Sequence, residues 1–212
     1  MERATQLYQW NATLAGSLHT QLSHFEVLCR NAMDRALKDW SKECSGDTAW
    51  SLEQQTPDLL YTIVHKPFSI ARKRAARASS QRPSHHPRHN APITHDDVIS
   101  QFTMGNWSNL LGEALPAHRE QAIQLWENCL HNAFPQVPLQ DPSRIMIGRR
   151  FERLTRLRNR VSHQENLLET NVRHRLNDMM SILSAINKSY PHWVQYGANV
   201  RVVASQDPRK FW

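Results

Sequence analysis

Apolar residues recur along most of the chain at intervals of three and four, and almost nowhere in strict alternation. Leu7, Trp10, Leu14, Leu18, Leu22, Phe25, Leu28, Ala32, Ala36 and Trp40 form the longest such series, which predicts one long amphipathic helix or a kinked pair. From Asp47 to Pro67 the pattern loosens; Trp50, Leu59, Leu60, Tyr61, Ile63 and Val64 suit a loop and a short helix that Pro67 would end. A second short helix, dense in cations at Arg72, Lys73, Arg74 and Arg77, should follow from Phe68 to Ala78.

Residues 79–92 are rich in Ser, Pro and His and read as a mobile insertion. Thr94 to Asp97 then resembles a capping box, with an acid three residues after a hydroxyl. The helix it opens would carry Val98, Phe102, Trp107, Leu110 and Leu111, with Gly105 as a potential break. Another helix is expected over Arg119–Phe134, and a third from Arg144, behind Ser143 as N-cap, to about His163. Its apolar line is Ile147, Phe151, Leu154, Leu157 and Val161. Glu169–Tyr190 repeats the pattern, so two helices joined by a short loop should pack antiparallel. The tail, residues 191–212, has no clear period. The expectation is an all-α chain with a single domain over residues 1–212.

Composition narrows the functional classes. No apolar run approaches the roughly 20 residues of a membrane span, and the first residues lack a secretory h-region. A soluble, cytoplasmic protein without a membrane partner is therefore expected. Cys29, Cys44 and Cys129 are too widely spaced for a disulfide framework or a zinc motif. The histidines at 85, 86, 89 and 95 lie in the Pro-rich segment without cysteines, and neither a metal nor another cofactor is expected. A formal charge of +7, with 20 Arg against 6 Lys, favours a nucleic acid partner, because guanidinium grips phosphate bidentately and stacks on bases. The tryptophans at 10, 40, 107 and 126 fall on apolar helical faces and are assigned to the core.

The candidate chemistry lies in Arg158-Asn159-Arg160-Val161-Ser162-His163. Arg158 and His163 place a permanent cation and an imidazole within two helical turns. The bare spacing is uninformative, since 20 Arg and 12 His supply about one such pair by chance. Its surroundings are less ordinary: Arg149, Arg150, Arg153, Arg156, Arg158 and Arg160 crowd about three turns, and like charges at that density repel unless an anion relieves them. At about 100° per residue Asn159 shares a face with His163, while Arg158 stands about 140° away. A compact site would then need two copies of the chain meeting at a twofold axis.

Residues 156–165, Arg-Leu-Arg-Asn-Arg-Val-Ser-His-Gln-Glu, resemble the signature of the HEPN superfamily, and more closely that of the Abi-like abortive-infection proteins. Two further segments are similar to that family in the expected order: Phe25–Leu37, and Asp97–Leu111 with its Gly105-Asn-Trp107 core. The chain departs from the pattern at Gln164 and Asn166, where His and Pro are common, and at Met104, where Phe is common.

This resemblance implies a HEPN-like helical bundle with additional helices, usually a homodimer, acting as a metal-independent endoribonuclease toxin of phage defence or of a toxin–antitoxin system. Arg158 and His163 match the catalytic pair, and Asn159 the polar residue after the Arg; with one His present, a single imidazole per protomer is assigned to proton transfer. RNA is the expected substrate, and a small non-coding RNA the expected kind of antitoxin. Arg72, Lys73, Arg74, Arg77, Arg156 and Arg160 are candidate RNA contacts. Glu26, Arg30 and Asn31 are candidate supports behind the site, with Glu26 pairing to Arg158 or Arg30. Two other readings stand beside this one: a non-catalytic HEPN-like module that holds a structured small RNA, and a protein-interaction dimer.

Overall fold

The computed structural model describes all 212 residues, and every regular element in it is helical. Nine α-helices follow in order: α1 Glu2–Ser45, α2 Asp58–Ser80, α3 His95–Ile99, α4 Met104–Asn109, α5 Arg119–Asn128, α6 Asp141–Ser162, α7 Val172–Ile186, α8 Tyr190–Gln195 and α9 Val200–Ser205. Short 3-10 turns at Pro116–His118, Leu130–Ala133 and Pro208–Phe211 complete the chain. No helix is long and apolar enough to cross a membrane.

Two compact units emerge, each assembled from separated stretches of sequence. The first comprises Met1–Asn31, Phe134–Pro138 and Arg149–Trp212; the second comprises Ala32–Ala133 and Leu139–Gly148. Two of the four boundaries, Asn31/Ala32 and Gly148/Arg149, fall inside the continuous helices α1 and α6, so no linker composition marks them.

In the first unit, α1 buries Leu14, Leu18, Leu22, Phe25 and Cys29. Helix α6 contributes Phe151, Leu154, Leu157 and Val161, and α7 contributes Leu176, Met179, Ile182 and Leu183. Phe25 and Phe151 meet with ring centroids 5.4 Å apart. Helices α6 and α7 run antiparallel, as expected: Arg160 reaches Thr170, Arg153 reaches Asp178 and Arg150 reaches Ser181. The tail is ordered by the same core. Val194, Val200 and Val203 are buried, and the Trp10 indole donates to the Val203 carbonyl at 2.8 Å.

The second unit is built around Trp50, fully buried against Phe68, His95, Phe102 and Trp107. Here several sequence expectations are corrected. Pro67 lies inside α2 rather than ending it. Leu60, Ile63, Val64, Phe68, Ala71 and Ala75 form one buried line on either side of the proline. Burying that line outweighs the roughly 3 kcal/mol an internal proline costs.

Residues 79–92 do not form a loose insertion. The Ser79 hydroxyl donates to the Ala91 carbonyl at 2.9 Å, and Arg82 and Arg88 reach the Asp97 carboxylate at 3.2 and 2.5 Å. Asp97 also completes the capping box at Thr94, which is present as expected. That helix ends after Ile99, and Thr103 with Asn106 forms a second capping box for α4; the break therefore precedes Gly105, which is helical. Helix α6 begins at Asp141, leaving Ser143 inside its first turn, and α7 is shorter than expected at both ends.

Candidate functional site

The motif lies at the C-terminal end of α6, in the first unit. The buried residues Phe151, Leu154, Leu157 and Val161 define the core face of this helix. Arg158 flanks that face on the side of α1. Its Nε lies 3.5 Å from Oε2 of Glu26, with the side chains 34% and 22% exposed, so of the two partners expected for Glu26 the structure selects Arg158. Arg30 is half-buried and Asn31 exposed, and neither bonds to the motif.

His163 continues the ladder by one residue, its amide donating to the Asn159 carbonyl at 2.9 Å. The helix then closes in a Schellman arrangement. The Gln164 amide donates to Val161 and the Glu165 amide to Arg160, at 3.2 and 2.9 Å. Gln164 takes φ 56°, a left-handed conformation that usually falls to Gly. Gln164 is thus the strained residue that turns the chain. The His163 side chain is exposed and makes no hydrogen bond or ion pair, and Asn159 is exposed one turn behind it.

Within one chain, then, the guanidinium and the imidazole do not converge. They project about 140° apart around the helix, one tied to α1 and the other open to solvent. The remaining arginines of the run divide between faces as well. Arg153, Arg156 and Arg160 lie about 160–220° from Arg158 and line an open cleft of about 370 Å³ together with Arg175 of α7. Arg156, Arg160 and His163 are spaced i, i+4, i+7 and so share one face.

The predicted contacts on α2 separate into two kinds. Arg72 is committed to the fold: it donates to the Ser51 carbonyl at 2.8 Å and to Thr56 Oγ1 at 3.2 Å, and lies 5.1 Å from the Phe68 ring. It is half-buried and acts as a strut of the second unit, unlike its neighbours on the helix. Lys73, Arg74 and Arg77 are exposed, without ion pairs, in the second unit.

A constellation that sequence reading missed lies in the second unit. Ser51 Oγ is 2.8 Å from His95 Nδ1, and His95 Nε2 is 2.9 Å from Asp34 Oδ1, which also accepts from the Trp50 indole at 3.0 Å. Burial opposes the Asp34 carboxylate, but bonds from His95 and Lys38 outweigh it and hold its pKa below the usual value. An ionised Asp34 can only accept, so the Nε2 of His95 carries a proton and donates to it. The order of groups, Ser–His–Asp, is that of a serine hydrolase, but with the two ring nitrogens exchanged: the hydroxyl is on Nδ1 and the carboxylate on Nε2. Ser51, however, is 0% exposed and His95 7%, so no substrate carbonyl can approach the hydroxyl. The chain of bonds anchors Trp50 and α3. No spacing signal could have revealed it, since its members are 44 and 61 residues apart.

No group of His, Cys, Asp and Glu is arranged to hold a metal ion. His89 Nδ1 contacts the Arg82 carbonyl at 2.6 Å, and His86 Nδ1 accepts from the Arg88 amide at 3.1 Å. Compared with family models, with curated proteins and with solved structures, the chain has no match in any of the three.

Proposed function

We propose that the chain is a metal-independent endoribonuclease of the HEPN type, acting as a toxin of phage defence or of a toxin–antitoxin system. The observation that supports this reading is the condition of the motif: a half-buried guanidinium with a fixed carboxylate partner, beside an exposed imidazole and amide that the fold does not use.

Because Arg158 and His163 diverge within one chain, the reading requires two copies. Arg158 of each protomer clamps the scissile phosphate and stabilises the charge building on its non-bridging oxygens. One His163 removes the proton from the ribose 2′-OH. The 2′-oxygen attacks phosphorus, the bond from phosphorus to the 5′-oxygen breaks, and the second protonated imidazole delivers a proton to that oxygen. The products are a 2′,3′-cyclic phosphate and a 5′-OH. Asn159 orients His163 or a phosphate oxygen. DNA, lacking the 2′-OH, survives.

The test is expression of wild type, Arg158→Ala and His163→Ala, with cellular RNA mapped by its 5′-OH ends and purified protein assayed with EDTA present. Wild type alone should arrest growth and generate new 5′-OH ends. Indistinguishable behaviour of all three would remove the enzyme reading. A second reading, a non-catalytic module that holds a structured small RNA, is favoured by the arginine-lined cleft; RNA retention without cleavage would select it.

A further inference from the structure

The cleft beside α6 carries more positive charge than its own ion pairs neutralise. Behind its wall lies Asp178, 7% exposed. It accepts from Arg153 Nε and Nη2 at 2.9 and 2.6 Å, faces Arg175 Nη1 at 3.2 Å, and has Arg150 Nε at 3.6 Å. One carboxylate among three guanidiniums leaves two charges uncompensated, and its few lone pairs leave N–H donors unused.

The rest of the lining adds cations rather than acids. Arg156 is 75% exposed and pairs with Glu152; an exposed pair of this kind is weak and yields readily to a better anion. Arg160 is held at the rim by Thr170 Oγ1 at 3.3 Å and by the Asn166 carbonyl, with Glu165 at 3.6 Å, so its charge is oriented at the cleft by the fold, and only the Glu165 carboxylate competes with an incoming anion. The single acid on the cleft, Glu169, is 89% exposed and is shared with Arg209. The first turn of α7 contains Arg173 and no acid. A purely structural network would match its charges; this one uses a buried carboxylate to position surplus guanidiniums around a cleft of about 370 Å³.

We propose that Arg153, Arg156, Arg160 and Arg175, with Thr170 at the rim, form a binding site for a phosphodiester of single-stranded RNA. This is a second phosphate of the strand whose scissile phosphate meets Arg158 and His163. Guanidinium forks match the paired oxygens of a phosphoryl group. Because Arg156 and Arg160 share a face with His163, a strand seated in the cleft continues toward the imidazole. The phosphoryl assignment follows from charge and shape alone, whereas the RNA assignment rests on the ribonuclease reading.

The test uses full-length protein carrying His163→Ala, so that cleavage plays no part, and a fluorescent RNA of about a dozen nucleotides titrated across a salt series. Adding Arg156→Gln and Arg160→Gln together should weaken binding at least tenfold. Each lost phosphate contact should lower the slope of log K against log salt by about 0.7. Thr170→Glu, which removes no cation, should weaken binding similarly while leaving the circular-dichroism melt in place; it decides the matter if the arginine variant melts early. Equal weakening for 5′-hydroxyl and 5′-phosphorylated strands assigns an internal phosphodiester. Weakening confined to the 5′-phosphorylated strand, unchanged affinity and slope in both variants, or no RNA binding by the parent overturns the proposal. Cleavage by wild type with unaltered binding in the variants would sink this site alone; intact binding effects with no cleavage would sink only the ribonuclease reading.

Discussion

His95 and His163 invert each other's circumstances. His95 has the wiring of a catalytic base, a hydroxyl on one ring nitrogen and a carboxylate on the other, yet it lies 7% exposed behind a serine that solvent does not reach. His163 has full access at the end of α6, and no side-chain partner. Orientation without access makes a structural bolt. Access without orientation makes a group whose partners must arrive from outside, from substrate or from a second copy of the chain. Hydrogen-bond connectivity is therefore a poor guide to chemistry unless exposure is weighed with it.

The largest effect expected from this contrast is on catalysis. His163→Ala should lower RNA cleavage by a factor of about 10² to 10⁴, the range for losing a general acid or base. Ser51→Ala should leave cleavage by the folded protein unchanged, because its hydroxyl serves only His95. Single-turnover rates on one defined RNA would measure both. Loss of cleavage in Ser51→Ala alone would invert the assignment. Mixed protomers sharpen it further: combining Arg158→Ala chains with His163→Ala chains should restore part of the rate if the site is shared across two copies.

Stability should separate the two histidines in the opposite sense. Removing the His95 ring leaves the Ser51 hydroxyl and one face of the Asp34 carboxylate without their partner inside the Trp50 cluster. His95→Ala should therefore cost about 3 kcal/mol, whereas His163→Ala should change stability by less than about 0.5 kcal/mol. Urea denaturation followed by tryptophan fluorescence would read both. Equal costs would mean that the His95 chain of bonds does not anchor the second unit.

The same contrast explains what was readable in the sequence. Signals carried by neighbours in sequence survive in the fold: the spacing on α1, the capping box at Thr94, and the antiparallel pairing of α6 with α7. Even so, the core line of α1 passes through Cys29, Met33 and Leu37, where the sequence series continued through Leu28 and Ala32. What failed depended on distant partners. Pro67 reads as a stop until the burial on both sides of it is known, and residues 79–92 read as loose because Asp97, their anchor, also looks like an ordinary capping acid. Arg72 reads like its neighbours Lys73 and Arg74 until Ser51 and Thr56 are placed beside it. The arginine run of α6 reads as one patch; helical geometry divides it into Arg158, held by α1, and Arg153, Arg156 and Arg160 around the cleft. Asp178, which organises that cleft, carries no mark in the sequence.

The smallest effect concerns how His95 is delivered to its pocket. It is the first residue of α3, immediately after the Thr94 cap, so the box that fixes Thr94 and Asp97 also fixes the entry of the imidazole. Burial works against the Asp97 carboxylate, but the amide and hydroxyl of Thr94, with the guanidiniums of Arg82 and Arg88, outweigh it and hold its pKa at about 2, against an ordinary 3.8. A depressed carboxylate stabilises the fold fully above its unfolded pKa, and that contribution is lost as pH falls from about 4 toward about 2. Thr94→Ala should cost about 1 kcal/mol at neutral pH. Because it also lets the folded pKa of Asp97 rise toward 3.8, the gap in melting temperature between variant and wild type should stay constant above about pH 4.5 and narrow below it. A gap that does not change with pH would show that Asp97 takes its stability from Arg82 and Arg88 alone, leaving the cap without a part in seating the buried histidine.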